Sequence, residues 1–111
     1  MTRIGDTHFI GAVVTVGNPD GLKKLCTELQ ADYTNLLVVL AANIEGKASV
    51  AVLVDDTLQA SKGMEAQKII KDQIAPLIKG GGGGQKGLAT AGGQDPSNLT
   101  QVIESVKNLL N

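Results

Sequence analysis

Between positions 80 and 93, eight of fourteen residues are glycine, in the order Gly80-Gly81-Gly82-Gly83-Gly84-Gln85-Lys86-Gly87-Leu88-Ala89-Thr90-Ala91-Gly92-Gly93. Bare backbone of this kind lets N–H groups approach a ligand, most often a phosphate, with no side chain in the way. A flexible connector is the other use of such a composition. Glycine loses more backbone freedom on folding than any other residue, so an interior run this dense needs one of these reasons. The charge pattern fits a phosphate as well as an ordinary solvated helix face. Up to Thr57 there are four basic residues (Arg3, Lys23, Lys24, Lys47) against seven acids, whereas Lys62, Lys68, Lys71, Lys79 and Lys86 face only Glu65 and Asp72. The positive excess collects around the glycines.

Named phosphate motifs do not account for the run. A nucleotide-binding P-loop needs Gly-Lys followed by Ser or Thr after a strand; here Gly87 follows Lys86 and a helical pattern precedes the run. Gly82-x-Gly84-x-x-Gly87 matches a dinucleotide fingerprint only because polyglycine meets any such spacing, and the strand–turn–helix context is missing. Other chemistry-bearing residues are sparse. His8 is the single histidine and Cys26 the single cysteine, the latter on an apolar helical stripe. Asp55-Asp56 reads as a solvated strand end, since successive strand residues point to opposite faces. These supply neither a nucleophile–base pair nor a metal cluster, so no catalytic residue and no metal site is expected.

The elements that position the glycines follow from periodicity. The segment from His8 to Val16 is apolar and β-branched, a strand. Asn18-Pro19 caps a helix whose Leu22, Leu25, Cys26 and Leu29 form one stripe. Asn35 to Ala42 and Ala48 to Val54 are nearly continuous apolar runs joined by Asn43-Ile44-Glu45-Gly46-Lys47, a hairpin buried on both faces. Ala66, Ile69, Ile70, Ile74, Leu77 and Ile78 make a second helix, with its last turn loosened by Pro76. Residues 87–92 form a short small-residue strand, and Asp95-Pro96 caps a final helix carrying Leu99, Val102, Ile103, Val106, Leu109 and Leu110. The order βαββαβα predicts a single-domain α/β sandwich with a mixed β-sheet flanked by helices.

Composition narrows the classes further. At 111 residues the chain suits one domain. One Phe (Phe9), one Tyr (Tyr33) and no Trp argue against recognition through a set of aromatic stacking platforms. No apolar stretch approaches the roughly 20 residues of a membrane span, no secretory signal is evident, and the lone cysteine agrees with a reducing compartment; the cytoplasm is the expected location.

Residues 39–50 (Val-Leu-Ala-Ala-Asn-Ile-Glu-Gly-Lys-Ala-Ser-Val), the helix with Met64, and Gly80 to Pro96 together resemble the C-terminal, DHH-associated domain of alanyl-tRNA synthetases, a domain also found in DHH-type single-strand exonucleases. The similarity covers the chain from about Phe9 to Leu110. It implies that residues 1–111 are the accessory domain at the end of an alanine–tRNA ligase, a fragment lacking the catalytic and editing domains, which helps position tRNA(Ala) for aminoacylation and editing. ATP, magnesium and zinc would belong to upstream domains of the same polypeptide, which are its other partners. The chain carries Gly81 and Gln85-Lys86 where the family often has a basic residue within the run and Arg-Pro after it. The nucleic-acid-binding residues expected are Lys62, Lys79, Gly80 to Gly84 (Gly80, Gly81, Gly82, Gly83, Gly84), Gln85, Lys86, Gly92 and Gly93. The competing functions are the nucleic-acid-binding domain of a DHH exonuclease and a purely structural packing module. Alanine at Gly82, Gly83 and Gly84 is expected to weaken tRNA binding with little change in melting temperature.

Overall fold

The computed structural model describes residues 2–4, 7–14 and 17–108. Six strands form one mixed sheet in the order β1-β2-β3-β4-β6-β5. The strands are β1 (Thr2–Ile4), β2 (Thr7–Val13), β3 (Leu36–Ile44), β4 (Lys47–Val54), β5 (Gly80–Gly84) and β6 (Leu88–Gly93). Only β2 and β3 are parallel, joined by a crossover through helix α1 (Pro19–Gln30); every other pairing is antiparallel. Asn18 caps α1 through its side chain, which accepts from Gly21 N–H, and Pro19 follows at the first turn, as the sequence indicates.

The centre of the sheet is the expected hairpin. A two-residue turn joins β3 to β4, with Glu45 at φ 54° and Gly46 at φ 81°. Two successive positive φ values match the right-handed twist of paired strands, and glycine takes the second without steric cost. Asn43 Oδ1 accepts from Gly46 N–H at 3.0 Å and fixes the turn. Strand alternation then sorts the aliphatics into two cores. Leu37, Val39, Val50, Val52 and Val54 pack with Phe9 beneath the helices of the second half of the chain. Leu36, Val38, Leu40, Ala51 and Leu53 face the other way, against Leu22 and Cys26 of α1. Burial pushes the Cys26 thiol pKa up to about 12.

The structure is richer than the seven predicted elements. The added strand β1 makes β2 an interior strand, and His8 is not without a partner: its Nδ1 lies 2.7 Å from the Thr34 carbonyl, and its ring is 5.7 Å from that of Tyr33. Asp55 does not simply end a strand. Its carboxylate accepts from Asp56 N–H at 3.0 Å and starts a short helix, α2 (Asp56–Lys62). The next helix runs as α3 (Ala66–Ile69), a π-helical turn (Ile70–Ile74) and α4 (Ala75–Ile78). The loosening expected after Pro76 lies one turn earlier. Pro76 has no N–H and its ring crowds the preceding turn, so the ladder widens before it, with Ala75 N–H reaching Ile70 O. Asp95 caps the 3₁₀ turn Pro96–Asn98 that leads into α5 (Leu99–Asn108); Leu109 and Leu110 lie outside the described residues, as does Val16. Gly11 lets α5 sit directly on β2, because a Cβ there would stand 2.6 Å from Ile103 Cγ2.

Candidate nucleic-acid interface

The glycine run is not a loop. Gly80–Gly84 form β5, an edge strand whose five residues are all exposed. It pairs with β6 in the register Gly80↔Gly93 to Gly84↔Ala89. Gln85 N–H donates to Leu88 O at 3.0 Å. Alternate pairs exchange bonds in an antiparallel ladder, so Gly83/Thr90 and Gly81/Gly92 are the bonded pairs. The N–H and C=O groups of Gly80, Gly82 and Gly84 therefore face the open edge.

The five glycines are also not equivalent. A Cβ on Gly82 would stand 2.5 Å from Ala91 Cα and collide with the Thr90 carbonyl; one on Gly80 would collide with Gly92 O. At Gly84, with φ 154°, a Cβ would lie 2.7 Å from both Ala89 Cα and Leu88 O. At Gly81 and Gly83 it would meet nothing within 4 Å. The even positions leave no room for a Cβ beside β6, which speaks against the expectation that alanine at Gly82 and Gly84 changes the melting temperature little; Gly83 keeps to it.

The structure gathers most of the predicted site residues along this edge. Lys79 closes α4 in the left-handed region, φ 53°, and delivers the chain into β5. Gln85 and Lys86 follow its far end, and Lys86 O accepts from Ala66 N–H at 2.8 Å, tying the turn to the start of α3. Gly92 is exposed beside Gly81, whereas Gly93 is buried, its missing Cβ leaving room for Ile78. The side chain of Lys62 lies outside the described residues.

Two lysines absent from the predicted set complete the edge. Lys68 and Lys71 line a groove of about 510 Å³ between the α3–α4 helix and Gly80–Gly83. Their spacing of three on a helix whose opposite face is apolar is the signal that places both on one solvent-facing stripe. Lys23, on α1, lines a second hollow beside Gly83 and Gly84 from the other face of the sheet; no pattern local to the glycines points to a residue so distant in sequence. Acids temper this positive field. Glu65 pairs with Lys68 at 3.4 Å. Desolvation opposes the Glu65 carboxylate, but the hydrogen bond and charge of Lys68, together with Gln67 and Lys86, hold its pKa below the usual value. The hydrogen bonds that Asp95 accepts from Ser97, with a smaller contribution from Lys79, hold the Asp95 carboxyl below its usual value. Lys71 has no ion-pair partner among the described residues.

In a strand, outward N–H groups recur every second residue, about 6.8 Å apart, with carbonyls between them. They do not converge on one anion as they would in a loop. The arrangement suits a ligand that lies along the edge, its phosphates held by lysines and single N–H groups. Among the described residues there is no cluster of three or more His, Cys, Asp or Glu able to hold a metal ion, and no helix is long and apolar enough to cross a membrane.

The chain is similar to several alanine–tRNA ligases. It is 38% identical over 110 residues to the enzyme of Cytophaga hutchinsonii, covering 99% of this chain and 12% of that protein. It is 36% identical over 107 residues to that of Trichodesmium erythraeum, covering 96% and 12%, and 35% identical over 106 residues to that of Lactobacillus acidophilus, covering 96% and 12%. The chain thus spans about an eighth of the length of these relatives. Its fold matches the crystal structure of the C-Ala domain from Aquifex aeolicus alanyl-tRNA synthetase, with a TM-score of 0.86 at 24% identity, over 98% of this chain and 96% of that one. The model of the DHHA1 domain matches residues 6–111, and the chain belongs to that domain family.

Proposed function

We propose that this chain is the C-terminal accessory domain of an alanine–tRNA ligase and that it holds the tRNA(Ala) body along β5 while upstream domains of the same polypeptide act on the acceptor end. In this reading ATP, magnesium and zinc serve those upstream domains, and the protein works in the cytoplasm. The observation that carries it is the bare edge strand, with Gly80, Gly82 and Gly84 presenting outward N–H groups between Lys68 and Lys71 on one side and Lys79 and Lys86 at its ends. An RNA backbone can lie against this strand because no side chain stands in front of it, and the lysines supply charge where the phosphates would run. Phosphate contacts of this kind position an RNA without reading its sequence, so folded tRNA should be preferred over unrelated RNA by shape.

A salt titration of tRNA binding tests this. Affinity should fall with a log–log slope of roughly −0.7 to −0.9 per phosphate contact, amounting to a few contacts. Absence of binding at low salt would leave the domain a packing module for its parent protein.

A further inference from the structure

Helix α1 covers only half of its side of the sheet. It packs over β3 and β4 and, apart from Leu88, which joins its core, leaves the rest of β6 and all of β5 uncovered. Two adjoining hollows of about 350 and 370 Å³ occupy that open half, and they share Gly83 and Thr90. Ser49, Gly81 and Gly92 form the floor of the first, and Leu22 of α1 stands at its wall. The second reaches Lys23 and Gln85. Ser49 is only 8% exposed. It lines the hollow, and its hydroxyl has no hydrogen-bond partner among the described residues. Thr90, two residues from Gly92 on the same face, likewise has an unpartnered hydroxyl.

The Ser49 and Thr90 hydroxyls open onto the hollow, where an incoming polar group can replace the water they would otherwise bind. The floor is peptide backbone, flat and without Cβ atoms at Gly81, Gly83 and Gly92; the wall is aliphatic; the far rim carries a cation. We infer that this hollow seats a single unstacked base of a bound RNA, a reading that rests on the tRNA-binding function proposed above. The ring lies on the glycine floor against Leu22, the Ser49 and Thr90 hydroxyls meet its polar edge, and Lys23 takes the adjoining phosphate. A hydroxyl can donate or accept, so the seat discriminates poorly among bases. The strand β5 is then used on both sides: the lysine groove follows the backbone, and the α1 side takes the base. This also explains how a chain with almost no aromatic residues could hold a base, with backbone planes replacing the usual ring platform.

The test uses a single-stranded RNA heptamer carrying one 2-aminopurine, alongside tRNA, followed by anisotropy and by 2-aminopurine fluorescence. Gly81→Leu fills the hollow without a clash, because a Cβ at Gly81 meets nothing within 4 Å and its pairing with Gly92 puts it on this face. Heptamer affinity should fall about tenfold, as for loss of one stacked base. The salt slope should stay at its parental value, since no phosphate contact is lost. Ser49→Ala with Thr90→Val removes both hydroxyls while keeping size, and should cost about threefold. Lys71→Ala, on the opposite side, should flatten the salt slope and leave the 2-aminopurine signal of the saturated complex unchanged. Parental affinity in both Gly81→Leu and the hydroxyl double variant would overturn the base seat, as would a parental complex in which the 2-aminopurine signal matches free RNA. Failure of the underlying reading looks different: the parent itself would bind neither heptamer nor tRNA at low salt, and both proposals would fall together.

Discussion

The hairpin β3–β4 and the hairpin β5–β6 lie side by side in one sheet, joined through the β4–β6 pairing. Both are antiparallel, and they share almost no chemistry. The first is aliphatic and buried on both faces, with a tight two-residue turn whose positive φ values fall at Glu45 and Gly46. The second contributes Ala89 and Ala91 to one core and, from β5, no side chain to either. Strand-forming preference comes largely from side chains packed on a half-buried surface, so polyglycine has little of its own. Instead β5 is held by its ladder to β6 and by the adjoining α3–α4 helix. The contrast separates two jobs within one sheet: the first hairpin supplies the stability that lets the second expose bare backbone.

The sharpest break of that contrast is Leu37→Ala. Leu37 is fully buried on β3, opposite Val54 at the open end of the first hairpin, and truncating such a side chain costs about 2–5 kcal/mol. Chemical denaturation should show this loss while the folded fraction binds RNA as before. A loss below about 1 kcal/mol would mean that stability does not reside in the first hairpin. Next comes a matched pair within β5. Gly82→Ala forces a Cβ into the β6 backbone and should cost about 1–3 kcal/mol, the range for an overpacked site. Gly83→Ala meets open space and should change stability by less than about 1 kcal/mol, in the stabilising direction, through restriction of the unfolded chain. Equal melting temperatures for the two variants would show that β5 does not pair as described.

These two hairpins also mark what the sequence could reveal. The existence of the first was legible, because continuous β-branched runs on either side of Asn43-Ile44-Glu45-Gly46-Lys47 admit few other readings. Both strands run further toward the turn than those runs, however, and Asn43, Ile44 and Lys47 pair across the ladder. Helix α1 was equally plain, since Asn18-Pro19 and the Leu22, Cys26, Leu29 spacing agree with each other. The glycines marked a candidate site and the lysines near it, but polyglycine has no periodicity, so nothing marked it as a strand. Its pairing comes from β6, whose Ala89, Thr90 and Ala91 set the register from outside the run. Helix α2 was hidden for another reason: Asp55-Asp56 ends a strand and caps a helix at once, and only the cap hydrogen bond decides. Ser49 and Lys23 were invisible as candidates because the topology, not the local sequence, brings β4 and α1 to the hollows beside β5.

A smaller effect probes the layer that covers the first hairpin. The Cys26 thiol, under α1, has its pKa pushed from 9.0 up to about 12 by burial. Between these values the unfolded chain has lost the thiol proton and the native chain keeps it, so the unfolded state binds fewer protons and stability falls as pH rises. The slope from this group is about 1.4 kcal/mol per pH unit above pH 9. Urea denaturation at stepped alkaline pH should give a steeper decline for the parent than for Cys26→Ala. Parallel curves would mean that water reaches the thiol and the α1 layer is looser than its packing indicates.

The smallest expected effect is also the one that best isolates the second hairpin's job. Lys68→Ala and Lys71→Ala remove cations from the groove beside β5, and Lys47→Ala removes one from the start of β4 at the turn of the first hairpin. All three side chains are exposed, and the Lys68–Glu65 pair is too solvated to hold the fold together, so melting temperatures should hardly move. RNA binding should separate them. Each groove lysine that meets a phosphate carries about 0.7–0.9 of the log–log salt slope, and the double variant should lose about twice that. Lys47→Ala should keep the parental slope, since its lysine lies by the wrong hairpin. A uniform drop across all three variants would show that RNA responds to the overall charge of the domain and not to the edge formed by Gly80–Gly84.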